Sequence, residues 1–504
     1  MKTIFPKGQL FINGQWRDSS SGETFPTYNP ASEEHLADIA KGTANDANAA
    51  VAAAKEAFEN GPWGKMGGAE RAKILNKIAD KIEEHAEELI DRESMDAGKL
   101  RRDVTRVDVP HIANMFRYYA GWTTKIDGSV KDPEGVLGEQ LLGYSRREPL
   151  GVVVGITPYN FPLILSVSKI APALAAGNCF IHKPASSTPL SAITLAKIMQ
   201  EAGVPDGAYN LVTGPGGAVG STLTKNPDVE KIAITGSTQT GIQISKDGAD
   251  TMKHLTMELG GKSPNIIFAD ADLDQAARIA AMGIFWNKGE VCVAGSRILV
   301  QESVYDEFLE KLIAETKKLK VGDPQDPTAD LGPMAGKAEF EKVMKYIDIG
   351  LNEDKADLVY GGKHVPINGK GYFVEPTIFA NAHNKMRIAQ EEIFGPVVPV
   401  IPFKDFDEAI EIANDTPYGL ASGVQTKDTA KAIRAANAIK AGTVWINTWH
   451  EYDPNQPFGG YKMSGYGREQ GKEAFEAYTQ SKSIWVSLGF PEEKNESTEL
   501  CLEK

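Results

Sequence analysis

LGVVVGI, residues 150–156, decides how this chain must fold. It is an uninterrupted apolar, β-branched run that stops at Thr157-Pro158. No polar residue alternates through it, as expected of a strand buried on both faces. Downstream, a helical stretch leads to a second apolar strand, NCFIHK (178–183), and then to the helix LSAITLAKIMQEAG (190–203), closed by Gly203 and Pro205. The strand AYNLV (208–212), another helix and the strand VEKIAIT (229–235) follow, and GSTQTG opens the next helix. Strands and helices that alternate in short units predict an α/β fold, a parallel sheet covered by helices. A second series of the same kind runs from SPNIIF (263–268) to about residue 460. Upstream, Asn13-Gly14 inside LFINGQW is a hairpin signal. Apolar residues at three- and four-residue spacing predict amphipathic helices from Asp46 to about Asn60 and from Ala69 to Ala97, with Gly98 as the stop. Residues 127–148 fit neither pattern and read as an excursion of two extended segments.

At 504 residues the chain exceeds one hydrophobic core, so two or three domains are expected. A formal charge of −14 lacks the basic footprint of a nucleic-acid or membrane-surface binder and suits a cytoplasmic protein. Cys179, Cys292 and Cys501 are odd in number and far apart, which argues against a disulfide scaffold and for a reducing compartment. The opening MKTIFPKGQLFINGQW is broken by Pro6, Lys7 and Gly8 and does not read as a signal peptide, and no run of eighteen apolar residues predicts a membrane span. The eight histidines are scattered without ligand spacing, so no metal site is expected. The tail 491–504, PEEKNESTELCLEK, is acidic.

Three stretches carry chemistry. ITGSTQTG (234–241) joins a strand to a helix, where small residues and free N–H groups attract a diphosphate. The full G-x-G-x-x-G fingerprint is absent, since Gly214, Gly216 and Gly220 miss its spacing by one, so a dinucleotide would bind by a variant. Gly261-Lys262-Ser263 is no phosphate loop, because Thr256 stands where that motif needs glycine. Glu258 ends the apolar strand HLTMEL, where a carboxylate faces a crevice. In NKGEVCVAGSR (287–297) Cys292 has no second cysteine nearby. Taken alone it reads as a small buried hydrophobe; the sharper reading is a thiolate nucleophile.

Seven stretches together resemble the aldehyde dehydrogenase superfamily of the NAD(P)-dependent, hydrolytic type. They are TPYNFP (157–162), HKPA (182–185), ITGST (234–238), MELGGKSPNI (257–266), NKGEVCVAGSR, EEIFGPV (391–397) and PFGGYKMSGYGRE (457–469), in the family's order and spacing. The resemblance implies a Rossmann-like nucleotide-binding domain (1–126 and 149–258), an α/β catalytic domain (259–475) and a small β oligomerisation arm (127–148 and 476–490). The arm would pair with C-terminal residues of a neighbouring subunit in a dimer or tetramer.

The resemblance also assigns roles. Cys292 would attack the aldehyde to give a thiohemiacetal, with Asn160 and the Cys292 N–H holding the oxyanion. After hydride transfer to NAD or NADP, Glu258 would activate the water that hydrolyses the thioester, with Lys169 in support. Glutamate at 258 favours a free carboxylic acid over transfer to coenzyme A. For the cofactor, Lys183 would meet the adenosine ribose. Gly216, Gly236, Ser237 and Thr240 would meet the diphosphate region, and Glu392 with Phe394 the nicotinamide ribose and ring. Ile156, Thr157, Pro158, Tyr159 and Leu259 would line the same crevice. Ser186, where strict NAD enzymes often carry glutamate, opens dual use of NAD and NADP. Phe161, Trp286, Val291, Val293, Trp449, Tyr452 and Phe458 map to the aldehyde tunnel and suggest an aromatic or medium-chain substrate. His450, Glu451 and Asp453 in the same loop keep amino aldehydes open. Glu290 replaces the usual glutamine, and its charge is expected to raise the Cys292 pKa and give an alkaline optimum. The alternatives are a coenzyme A-acylating dehydrogenase or thiol esterase, and a non-catalytic protein on the same fold.

Overall fold

Val152–Ile156 pairs in parallel with Cys179–Lys183 on one side and Lys231–Thr235 on the other, and its first four residues are buried. The computed structural model of the chain describes residues 4–136 and 138–489. Among these, Tyr209–Leu211 and His254–Glu258 extend the parallel set, and the hairpin Leu10–Ile12/Gln15–Arg17 adds antiparallel strands at one edge. The hairpin turns on Asn13 and Gly14 with φ of 53° and 73°, the left-handed pair that a two-residue turn needs. The helical stretch expected over 69–97 is two helices, Gly68–Glu84 and Ala86–Ala97, divided at His85; Gly98 ends the second at φ 64°.

A second sheet is parallel from Pro264–Ile267, Arg297–Gln301, Thr377–Ala380, Val397–Phe403, Ala421–Gln425 and Thr443–Ile446, with antiparallel Asp357–Tyr360 at one edge. Successive residues of its strands feed different cores, Ile267 and Val300 one, Ile266 and Leu299 the other, because side chains alternate across the pleat. The α/β architecture expected from the alternation is therefore present twice.

Two boundaries differ from expectation. The block 259–475 returns to the first sheet before its end: Gly465–Tyr466 pairs antiparallel with Met257 and Glu258, and Ala474 and Phe475 pack in the first core. The excursion contributes Val130–Lys131 and Gln140–Pro149, and the latter pairs over its length with Thr479–Gly489 of the same chain. This strand of the arm is therefore paired with the C-terminal segment of its own chain. The acidic tail 491–504, with Cys501, lies outside the described residues. No helix among the described residues is long and apolar enough to cross a membrane.

Candidate active site

Parallel strands end at one edge, and that register gathers the chemistry. Ile156 is paired with Lys183 and Ile234, and Thr235 with Glu258, so four strand ends bring these residues to the crevice where α/β sheets bind ligands. Thr157 continues the row, its N–H donating to the Lys183 carbonyl at 3.1 Å. Its hydroxyl joins a buried cluster with Ser166 and His182, whose other ring nitrogen meets the Tyr209 hydroxyl at 2.9 Å. Burial holds the His182 pKa down at about 3, so the ring is neutral.

Glu258 is buried, and neither carboxylate oxygen has a partner among the described residues. Burial, then the charge of Glu469, raises its pKa well above the usual range, against Lys169 and Arg468, which lower it. Lys169, on the helix Pro162–Ala175, is fully buried, ion-paired to Glu469 and bonded to the Thr235 hydroxyl at 2.6 Å. Ser168 also donates to Glu469, at 2.7 Å. Glu469 was not among the residues singled out from sequence, although it closes the PFGGYKMSGYGRE stretch.

Cys292 faces a cavity of about 190 Å³. Burial raises its thiol pKa strongly, Glu258 and Glu392 add to the rise, and the N–H groups of Val293 and Cys292 oppose it. The cause expected from sequence is corrected here. The buried Glu290 side chain accepts from the Ala335 N–H at 3.1 Å and lies 3.5 Å from the Lys288 ammonium, and the charges that act on the thiol are those of Glu258 and Glu392. Alkylation of Cys292 by iodoacetamide is accordingly expected to climb steadily between about pH 7 and about pH 9. Glu258→Gln should shift that profile to lower pH and Glu290→Gln should leave it in place; the reverse order would refute the assignment.

Asn160 is buried, and its side-chain amide donates to the Glu290 carbonyl at 2.9 Å, which leaves one amide hydrogen uncommitted among the described residues. Asn287 donates to the Asn160 carbonyl at 3.2 Å, tying the two loops together. Glu392 accepts from the Gly261 N–H at 2.9 Å, and a Cβ on Gly260 would sit 2.5 Å from its carboxylate, so a side chain there would displace Glu392. Tyr159 and Phe394 stand edge to face, ring centroids 6.0 Å apart. Neighbouring Glu391 is bonded to Arg387 and to the Tyr346 hydroxyl.

The family model described as Aldehyde dehydrogenase family matches residues 16–484. The chain belongs to that family. It is 47% identical over 481 residues to Aldehyde dehydrogenase family 2 member C4 of Arabidopsis thaliana, with 95% of each chain covered. It is 45% identical over 484 residues to a mitochondrial benzaldehyde dehydrogenase of Antirrhinum majus, covering 96% of this chain and 89% of that one. Among solved structures, the NAD+ complex of an aldehyde dehydrogenase from Bacillus cereus superposes with a TM-score of 0.93 at 45% identity, over 96% of this chain and 97% of the other. Family membership makes this an NAD(P)-dependent aldehyde dehydrogenase.

Within this aldehyde dehydrogenase, Phe161, Trp286, Val291, Tyr452 and Phe458 line the Cys292 cavity. Two tunnel assignments are corrected. Val293 is fully buried in the core of the second sheet, and Trp449 packs there too, against Gly283, Gly295 and Gly423. Val291 and Cys292 both line the cavity, and the chain then turns, the Ala294 N–H donating to the Val291 carbonyl at 2.9 Å, which carries Val293 into the core. His450 and Glu451 line the cavity, and Val107, His111 and Gln470 were missed. Val107 and His111 come from a π-helical turn, Val104–Asp108, and the helix after it, and no amphipathic pattern announces such a turn.

Proposed function

We propose that the protein oxidises an aldehyde to a free carboxylic acid through covalent catalysis at Cys292. The observation that carries this is the cavity thiol standing near Glu258, with Asn160 locked to the adjacent loop. The Cys292 thiolate forms the S–C bond with the carbonyl carbon, and the oxygen becomes an oxyanion held by the Cys292 N–H and the uncommitted Asn160 amide hydrogen. A bound nicotinamide supplies the acceptor for the hydride that leaves this tetrahedral carbon. Glu258, buried and with both carboxylate oxygens free of partners among the described residues, takes the proton of the water that cleaves the Cys292 thioester. Lys169, paired to Glu469, sets the charge next to Glu258. Apolar, ring-lined walls fit an aromatic or medium-chain aldehyde.

A nicotinamide dinucleotide fits the residues present. The Lys183 ammonium is buried, its pKa lowered to about 8, and it bonds a single carbonyl, that of Pro184. Gly216 and Gly217 leave open space, and the exposed Ser237 caps the helix Thr238–Ala249, whose first N–H groups suit a diphosphate. Ser186 donates to the Gly214 carbonyl at 3.0 Å and brings no negative charge to this crevice. Measurable oxidation is therefore expected with both NAD and NADP, followed by the absorbance of the reduced cofactor on benzaldehyde and hexanal. Ser186→Glu should lower the NADP rate at least about 10-fold through repulsion of the 2′-phosphate, and an unchanged ratio would refute this role. In the assembly, the arm strands, with exposed Val130, Trp485 and Leu488, are the surface proposed to meet another copy in a dimer or tetramer.

A further inference from the structure

The Cys292 cavity has apolar walls, yet several of its lining side chains carry uncommitted hydrogen-bonding groups. Neither the His111 ring nor the Gln470 amide bonds to another described residue. The other polar groups are accounted for differently. Glu469 is committed to Ser168 and to Lys169, the His450 ring nitrogens lack a partner among the described residues but are buried out of reach of water, and Glu451 and Tyr452 are exposed. His111 is placed by the π-helical turn Val104–Asp108, itself fixed where Asp108 is ion-paired to the buried Lys99. Such turns are uncommon and concentrate at functional sites.

We infer that His111 and Gln470 form a polar subsite that selects aldehydes carrying a neutral hydroxyl on an aromatic body. The inference rests on the aldehyde-oxidising reading above. An apolar substrate that covers these two groups strips them of water without replacement, whereas a hydroxyl satisfies them; a site built to bond a substituent rejects the analogue that lacks it. Asp108 and Asp453 stand close enough to His111 to act on its charge, so an anionic substituent is repelled there.

The test compares kcat/KM for 3- and 4-hydroxybenzaldehyde with the matching methylbenzaldehydes and carboxybenzaldehydes, with benzaldehyde as reference. The better hydroxyl-to-methyl ratio is expected to reach at least about 10 in the wild type, with the carboxylates poorest. His111→Leu and Gln470→Leu should each bring that ratio, taken within each variant, towards one, and His111→Asn, which keeps a hydrogen-bonding group, should retain much of it. A wild-type ratio near one, or a ratio that survives both leucine variants, overturns the subsite. Absence of benzaldehyde turnover with either cofactor would instead overturn the reading on which it rests.

Discussion

Cys292→Ala is expected to abolish aldehyde oxidation, with a loss of at least about 10⁴-fold in the rate of cofactor reduction. The size follows from the absence of a substitute nucleophile in the cavity. Ser168, the hydroxyl on its wall, is hydrogen-bonded to Glu469 and to the Leu165 carbonyl, and Cys179 is buried inside a strand with its thiol pKa pushed up to about 12. Cys292→Ser should sit close to the alanine variant, because an alcohol in this buried, carboxylate-flanked position is harder still to ionise than the thiol. A residual rate above about 1% in Cys292→Ala would mean that hydride leaves without a covalent intermediate. The same variant separates the alternatives. A thiol esterase would lose ester hydrolysis measured without nicotinamide, and an acylating enzyme would show wild-type turnover that depends on coenzyme A.

How much of this was legible in the sequence depended on the kind of constraint. A strand buried on both faces must be apolar throughout, so Val152–Ile156, Cys179–Lys183 and Lys231–Thr235 announced themselves, and with the end of HLTMEL their ends located Ile156, Lys183 and Glu258. Residues whose importance comes from a partner far along the chain did not. Lys169 and Glu469 are 300 positions apart and pair across the interior, and nothing local marks the glutamate as buried. Side-chain direction was the other blind spot. Val291 and Val293 look equivalent in NKGEVCVAGSR, yet one faces the cavity and the other the core, because the backbone, after reversing through left-handed residues just before them, turns between them with the Ala294 N–H donating to the Val291 carbonyl at 2.9 Å.

That reversal sets up the second large effect. Asn287, Lys288 and Gly289 adopt φ of 47°, 51° and 73°, a conformation costly for the first two. The buried Lys288 holds it, donating to the Ala97 carbonyl at 2.8 Å and facing Glu290 at 3.5 Å. Burial nevertheless raises the Glu290 carboxyl to about 7 and lowers the Lys288 amine, so neither charge is fully repaid by the other. Lys288→Met, which strands the carboxylate, is therefore expected to cost about 3–5 kcal/mol, read as a drop of about 3–10 °C in Tm. The sign with pH is fixed by linkage. A carboxyl whose folded pKa lies above its unfolded value loses stability as pH rises towards that folded value, and removing Lys288 moves it higher still. The gap to wild type should then widen above about pH 7. Lys288→Met/Glu290→Gln removes the stranded charge and should return Tm to near the wild-type value. Its kcat should stay low, because the turn that presents the Glu290 carbonyl to Asn160 has lost its anchor on Ala97. If the double variant regained both stability and kcat, the pair would be only a buried charge pair and the turn would be held by other contacts.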